Sequence, residues 1–477
     1  MLGVQHLPDL YTLSTFPVLA IVLPLLSLII LGRWKPPPRF PPSIPRPSIG
    51  NNRFAKLRAS YRGWPTSLPN LSEGYRKFNI QGQPYIHATP SLRPQVILPV
   101  KDFEWLLHLP DSMLSVQEAM NDSAGIAHLL TGRDATLEKI ATLTVSQHLT
   151  QSLGLVQPDL LDELQLSLDR VLGLDTDEWN SVCIFSAMEQ VVTQIAGRLL
   201  FGKMLCRDYE GYIPAVLWCM HCFGAGMILT AQLLPWFLQP IVSVFFRIPL
   251  KFAIWRLSLY TKPLTTRWLK QIVEEESQTN TESTKVPYNM ATTFIRIAQK
   301  QNRSGQYKID AYKITSCLNQ IAMLPFGTTI PSSSALLLDI AHQKGLSQSL
   351  QQEAATALTS NEAWTDLCSF NKLSLAESTI KETLRLNPIQ LHASNREVIH
   401  PNGLTLPTGQ HLPCGTWAAA SAWDVHLDER FYPDPMKYDP CRFLDSESQK
   451  TLNETQNINR LAASSRFLPF GAGRHAW

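Results

Sequence analysis

Phe470-Gly471-Ala472-Gly473-Arg474-His475-Ala476-Trp477 is the stretch whose reading decides the fold. Its two glycines permit tight turns and let the backbone approach a flat partner closely. Phe470 offers an aromatic face, and Arg474 and His475 offer donors for acidic groups. Alone, such a loop marks an ordinary turn. Its meaning depends on whether the upstream chain carries the parts that should accompany it.

At 477 residues the chain is long enough for a large core or for two or three ordinary domains. Its composition, 44% hydrophobic and 17% charged, leans apolar for a soluble enzyme. A net charge of +3 is too small to argue for nucleic acid. The eight cysteines (Cys183, Cys206, Cys219, Cys222, Cys317, Cys368, Cys414 and Cys441) are scattered without a framework. They read as reduced thiols of a cytosol-facing protein. Cys219 and Cys222 form one C-x-x-C with no second pair, which argues against a structural zinc site.

Thr12 to Leu31 is an uncharged, mostly aliphatic run, TLSTFPVLAIVLPLLSLIIL. At about 1.5 Å per residue it spans the roughly 30 Å of a bilayer core. No positive segment precedes it and no small-residue cleavage site follows, so a removable signal peptide is disfavoured. Arg33, Lys35, Arg39 and Arg46 come after it. The positive-inside rule then puts residues 1–11 in the lumen and the body in the cytosol, with a single pass at 12–31. Residues 32–50 hold a proline-rich hinge, KPPPRFPPSIPRPSIG from Lys35 to Gly50. Such a run cannot be helical and serves as a stiff spacer.

Residues 51–477 form the body, and they read as mainly α with a small β-region. Helices are expected at Lys101–His108, Glu138–Gln151, Leu160–Val171 and Ser186–Leu200, and short strands at Tyr85–Ala88 and Gln95–Leu98. Tyr212 to Phe246 carries no Asp, Glu, Lys or Arg, but Pro214, Pro235 and Pro240 interrupt it. Two short apolar helices roofing an apolar pocket fit this better than a second membrane span. Ser277–Lys285 reads as an exposed polar loop. A long helix is expected from Ile309 to Lys344, opened locally by Leu324-Pro325-Phe326-Gly327-Thr328-Thr329. The bland role for Thr328 and Thr329 is hydroxyls bonding back to the preceding turn.

Leu375 to Asn387 patterns as an amphipathic helix, with Ser374 and Glu377 spaced as a capping box. Glu382 and Arg385, three apart, share one face of it. Taken alone they are a surface ion pair worth well under about 1 kcal/mol. Short strands follow at Arg396–Ile399, Leu404–Leu406 and His411–Cys414, and then a proline-rich passage reaches Pro440, Arg442 and Phe443.

In this order, E-x-x-R at Glu382 and Arg385, P-x-R-F at Pro440, Arg442 and Phe443, and F-x-x-G at Phe470 and Gly473 are highly specific. With the anchor, the hinge and the paired threonines, nearly the whole chain resembles a microsomal cytochrome P450, of the kind fungi use in secondary metabolism. The resemblance implies the P450 fold, a single transmembrane helix at the endoplasmic reticulum and a haem-dependent monooxygenase. It also implies a lipophilic substrate, such as a terpenoid or polyketide, and electrons from NADPH through cytochrome P450 reductase. Glu382, Arg385 and Arg442 match the family's buried charged triad. Arg396 and His475 match contacts to the haem propionates, and Phe470 and Gly473 match the haem loop. Thr328 and Thr329 match the threonines over the distal face, although Gly327 stands where many relatives carry an acidic residue. Trp477 stands where the family has the cysteine that ligates iron. The haem would then lack its axial thiolate. The resemblance therefore also predicts a chain truncated at its C-terminus and, as the alternative function, a catalytically inactive remnant.

Overall fold

The computed structural model describes residues 36–47, 54–65, 67–130, 134–175, 177–277, 286–303, 310–444 and 464–473. The anchor at 12–31, the two ends of the hinge, nearly all of the polar loop 277–285, His475 and Trp477 lie outside the described residues.

Helices carry the body, as the sequence indicates. Eight of them place the site: α1 (Ile184–Phe201), α2 (Tyr212–Gly226), α3 (Gln239–Ser277), α4 (Ala311–Met323), α5 (Thr329–His342), α6 (Leu346–Ala357), α7 (Ser374–Leu386) and α8 (Ala422–His426). One large core joins α1 to α5, while Ala422 and Val425 of α8 pack in a second core under the sheet. Met188 and Val191 of α1 meet Val216 and Met220 of α2, Ala253 and Leu257 of α3, and Leu318 and Ala322 of α4.

The small β-region is a five-stranded sheet built from β1 (Tyr85–His87), β2 (Gln95–Ile97), β3 (Leu114–Ser115), β4 (His392–Val398) and β7 (Trp417–Ser421). Its order is β1-β2-β7-β4-β3. Only β2 and β7 run parallel. A separate hairpin pairs β5 (Leu404–Thr405) with β6 (His411–Leu412). Strand β7, Trp-Ala-Ala-Ala-Ser, was not legible in the sequence because it lacks the branched residues that mark strands. Its alternation is nonetheless strict. Ala418 and Ala420 face Val96, Phe103 and Val398, while Ala419 faces Leu71, Tyr85 and Ile97.

Two expectations need correction. The apolar stretch from Tyr212 does break near Pro235, after a π turn at Met227–Leu233. The second helix, however, is not short. α3 runs for 39 residues through Pro249 and Pro263. Its buried Leu250, Ala253, Leu257, Trp268 and Ile272 outweigh the proline penalty, since tertiary packing supplies most helix stability. The capping box of α7 does not form, because Ser374 lies inside the helix and Leu373 occupies the cap position. Instead the Leu375 and Ala376 N–H groups donate to the Glu353 carboxylate of α6 at 2.6 and 2.9 Å. Glu377 turns to Lys381, 2.6 Å away. Glu382 and Arg385 are fully buried, as the triad match implies, and not the surface pair they would be if taken alone.

Tyr212–Leu233 and Ala311–His342 are long and apolar enough, by length and composition, to cross a membrane. The first sends Tyr212, Ile213, Val216 and Met220 into the main core. The second is the long helix expected from Ile309, opened where the sequence places the break, with a 3-10 turn at Leu324–Gly327 between α4 and α5.

Candidate active site

Glu382 and Arg385 sit one helical turn apart on α7, so the carboxylate and guanidinium meet side by side. Arg385 Nε donates to Glu382 Oε2 at 2.7 Å and Nη2 to Oε1 at 2.8 Å. Arg442 reaches the same carboxylate from the proline-rich passage, its Nε 3.1 Å from both oxygens. The Asp439 N–H adds a fourth donor group at 3.0 Å. The sequence thus named all three members of a real cluster. A buried charge costs several kcal/mol to desolvate, and a fully hydrogen-bonded cluster like this one offsets that cost while fixing geometry. Arg442 also binds the carbonyls of Pro433 at 2.7 Å and Lys437 at 2.9 Å, which staples its own loop.

His426, at the end of α8, escaped the sequence reading. It joins the triad to the glycine loop. Arg385 Nη1 donates to the His426 carbonyl at 2.7 Å, and His426 Nδ1 lies 3.0 Å from the Arg385 carbonyl. The Leu468 N–H donates to His426 Nε2 at 2.7 Å. With Nε2 accepting, the ring proton sits on Nδ1, where it can donate to the Arg385 carbonyl. Burial pushes the imidazole pKa down to about 3; the Arg385 charge adds to this and the Arg385 carbonyl opposes it. Phe467 stacks on the ring at 5.8 Å. A lone histidine in the stretch Ala-Trp-Asp-Val-His carries no sequence signal for such a bridge.

The loop after Leu468 rests on β4. The Ala472 N–H donates to Ser394 Oγ at 2.7 Å. Gly471 and Gly473 have φ of +79° and +78°, the left-handed region that glycine favours. A Cβ on Gly471 would lie 2.6 Å from Ser394 Oγ, and one on Gly473 would lie 3.3 Å from Leu107. Ser394 itself has φ +50° and lies within a bulge between Ala393 and Arg396. Arg396, two residues further along the same strand, is buried. Phe470 is half-buried. Four of the expected cofactor contacts are therefore split. Phe470, Gly473 and Arg396 belong to one loop-and-strand unit, and His475 is outside the described residues.

The threonine pair lies at the junction of α4 and α5. Thr328 Oγ1 donates back to the Leu324 carbonyl at 3.2 Å, the local bond that helical hydroxyls commonly make. Thr329 is exposed. Phe326 packs on Gly224 of α2, so the break touches the apolar helix above it.

Comparison with known proteins gives these parts a common origin. The cytochrome P450 family model matches residues 175–476. Cytochrome P450 monooxygenase nodZ of Hypoxylon pulicicidum is 30% identical over 92% of this chain and 82% of its own length. Cytochrome P450 monooxygenase polB of Polytolypa hystricis is 30% identical over 92% of this chain and 84% of its own. Cytochrome P450 monooxygenase efuH of Hormonema carpetanum is 29% identical over 94% of this chain and 80% of its own. These relatives are monooxygenases, which are oxidoreductases. The chain belongs to the cytochrome P450 family.

Proposed function

We propose that this chain has the frame of a haem monooxygenase acting on a lipophilic small molecule, a terpenoid or polyketide, in fungal secondary metabolism. The observation that carries this reading is the Glu382–Arg385–Arg442 cluster, tied through His426 to the glycine loop. The cluster fixes the loop's approach, and the loop with Arg396 forms the cradle. In this reading Phe470, Gly473, Arg396 and His475 would hold the haem, the last two through its acidic groups, Thr328 and Thr329 would serve proton delivery, and the haem would supply the activation of dioxygen. The body is cytosolic on the endoplasmic reticulum membrane, held by residues 12–31, and NADPH–cytochrome P450 reductase supplies electrons.

The donor set fits this group only in part. Buried Arg396 and the two left-handed glycines suit a flat, doubly acidic macrocycle. The iron ligand does not fit. In this family a cysteine thiolate holds the iron. Trp477 has that place in the motif, and its indole nitrogen is a donor only. Cys441, the nearest cysteine in sequence, is exposed and 29 residues before the loop's Phe470, by subtraction of their numbers. This mismatch favours a second reading, in which the chain keeps the frame and has lost the chemistry. Gly327, in place of an acidic residue, and the engaged Thr328 hydroxyl point the same way.

One spectrum separates the two. Purified chain, reduced and exposed to carbon monoxide, is expected to show no haem-thiolate band. The band is expected once Trp477→Cys is made in a chain continued past residue 477 with the matching segment of a relative. A normal band from the unaltered chain refutes the inactive reading. Its absence from the repaired chain refutes the monooxygenase frame.

A further inference from the structure

Above the helix break, α1 and α2 bring together a pair of groups to which nothing so far gives a role. Glu189 of α1 is nearly buried, and its Oε1 lies 2.7 Å from His221 Nε2 on α2. The His221 side chain is 54% exposed, while that of Glu189 is 10% exposed. The carboxylate is thus the inner partner and the imidazole the outer one. Nδ1 of His221 has no partner among the described residues, and the Glu189 contact orients the ring that carries it. The ring stands edge-on to Phe326, centroids 5.9 Å apart. Phe326 is the third residue of the 3-10 turn Leu324–Gly327. The next residue, Gly327, leaves open space, since a Cβ there would meet nothing within 4 Å. Cys222 and Phe223, the next two residues of α2, and Phe326 are partly buried apolar side chains packed on the main core.

We infer that His221, oriented by Glu189, is the polar anchor of the substrate space, and that it takes the hydroxyl group of a lipophilic alcohol. The inference rests on the reading of the Leu324–Thr329 break as part of that space. The chemistry is specific. An imidazole whose Nε2–H is held by a carboxylate presents Nδ1 as an acceptor, and a ligand hydroxyl donates to it. A hydrocarbon cannot do this, and would leave a polar atom unpaired on binding. An apolar pocket alone discriminates weakly between a ligand and its hydroxylated form, whereas a fixed hydrogen-bonding partner discriminates more. His221 is a positioning residue in this scheme and takes part in no bond-making step.

The test needs no haem. The full chain in nanodiscs is dialysed to equilibrium with 2-decalol or with decalin, empty nanodiscs being subtracted. The unaltered chain is expected to favour the alcohol. His221→Phe should weaken 2-decalol binding about twofold to tenfold, the range for one lost hydrogen bond, and leave decalin unchanged. His221→Gln, which keeps a donor and an acceptor, should recover most of the loss. Equal weakening of both probes by His221→Phe, or no effect on the alcohol, overturns the inference. Gly327→Trp tests the underlying reading separately, because the indole fills the break. It should abolish binding of both probes. Persistent decalin binding in Gly327→Trp, or no binding of either probe to the unaltered chain, shows that the break is not substrate space, and the inference falls with it.

Discussion

Acid should release the glycine loop through His426. The native imidazole is neutral, with its pKa pushed down to about 3 from an ordinary 6.5. In any opened state that frees it from Leu468 and Arg385, the ordinary value returns. Protonating Nε2 in place would set two N–H groups against each other, since the Leu468 N–H already points at it from 2.7 Å. The sign follows from proton binding. Between pH 6.5 and 3 the open state takes up a proton that the closed state refuses, so closing weakens as pH falls through that window. From pH 7 to pH 5 the difference amounts to about 2 kcal/mol, or about 25-fold in the opening equilibrium. Hydrogen exchange of the peptide covering residues 464–473, corrected for intrinsic rates, reads this directly. Protection of the Leu468 amide should drop by about that factor in the unaltered chain. In His426→Phe it should be low at pH 7 and fall no further because of this group. Less than about a threefold drop in the unaltered chain, or an equal drop in the variant, would refute the assignment of His426 as the acid-sensitive bridge.

Two further outcomes follow from the same geometry. Glu382→Leu leaves the Arg385 guanidinium buried without its carboxylate and should cost about 3–5 kcal/mol, read as a lower urea midpoint or as failure to accumulate folded chain. Gly471→Ala forces a side chain into the left-handed region and against Ser394, at a cost of about 1–2 kcal/mol from the backbone alone. Limited proteolysis should then cut near the loop faster, while the helical core keeps its resistance.

Much of this architecture was legible along the chain. Helix α7 with its Glu382–Arg385 pair, the opening at Leu324–Gly327, and strands β1 and β2 all fell within a few residues of their expected places, because periodicity and proline are local signals. The long α3 and strand β7 were not legible. In α3 the buried face overrides two prolines, and β7 is chosen by its neighbours on both sides of a sheet rather than by its own alanines. The cap of α7 misled for a similar reason. Glu353 belongs to another helix, and no spacing within Ser374–Glu377 could announce it.

The terminal motif shows the same division. By itself the sequence determined which residues the loop would contain, that Gly471 and Gly473 could turn where others cannot, and that a tryptophan holds the place of the expected cysteine. These are properties of residue type and order, and need no fold. Only the tertiary structure decided that Glu382 would be shared by Arg385 and Arg442, that His426 would hand this cluster on to Leu468, and that Ser394 would receive the loop. Beyond the Glu382–Arg385 contact itself, those links join groups 41 to 78 positions apart. Burial makes their hydrogen bonds obligatory, and burial is a property of the packed whole.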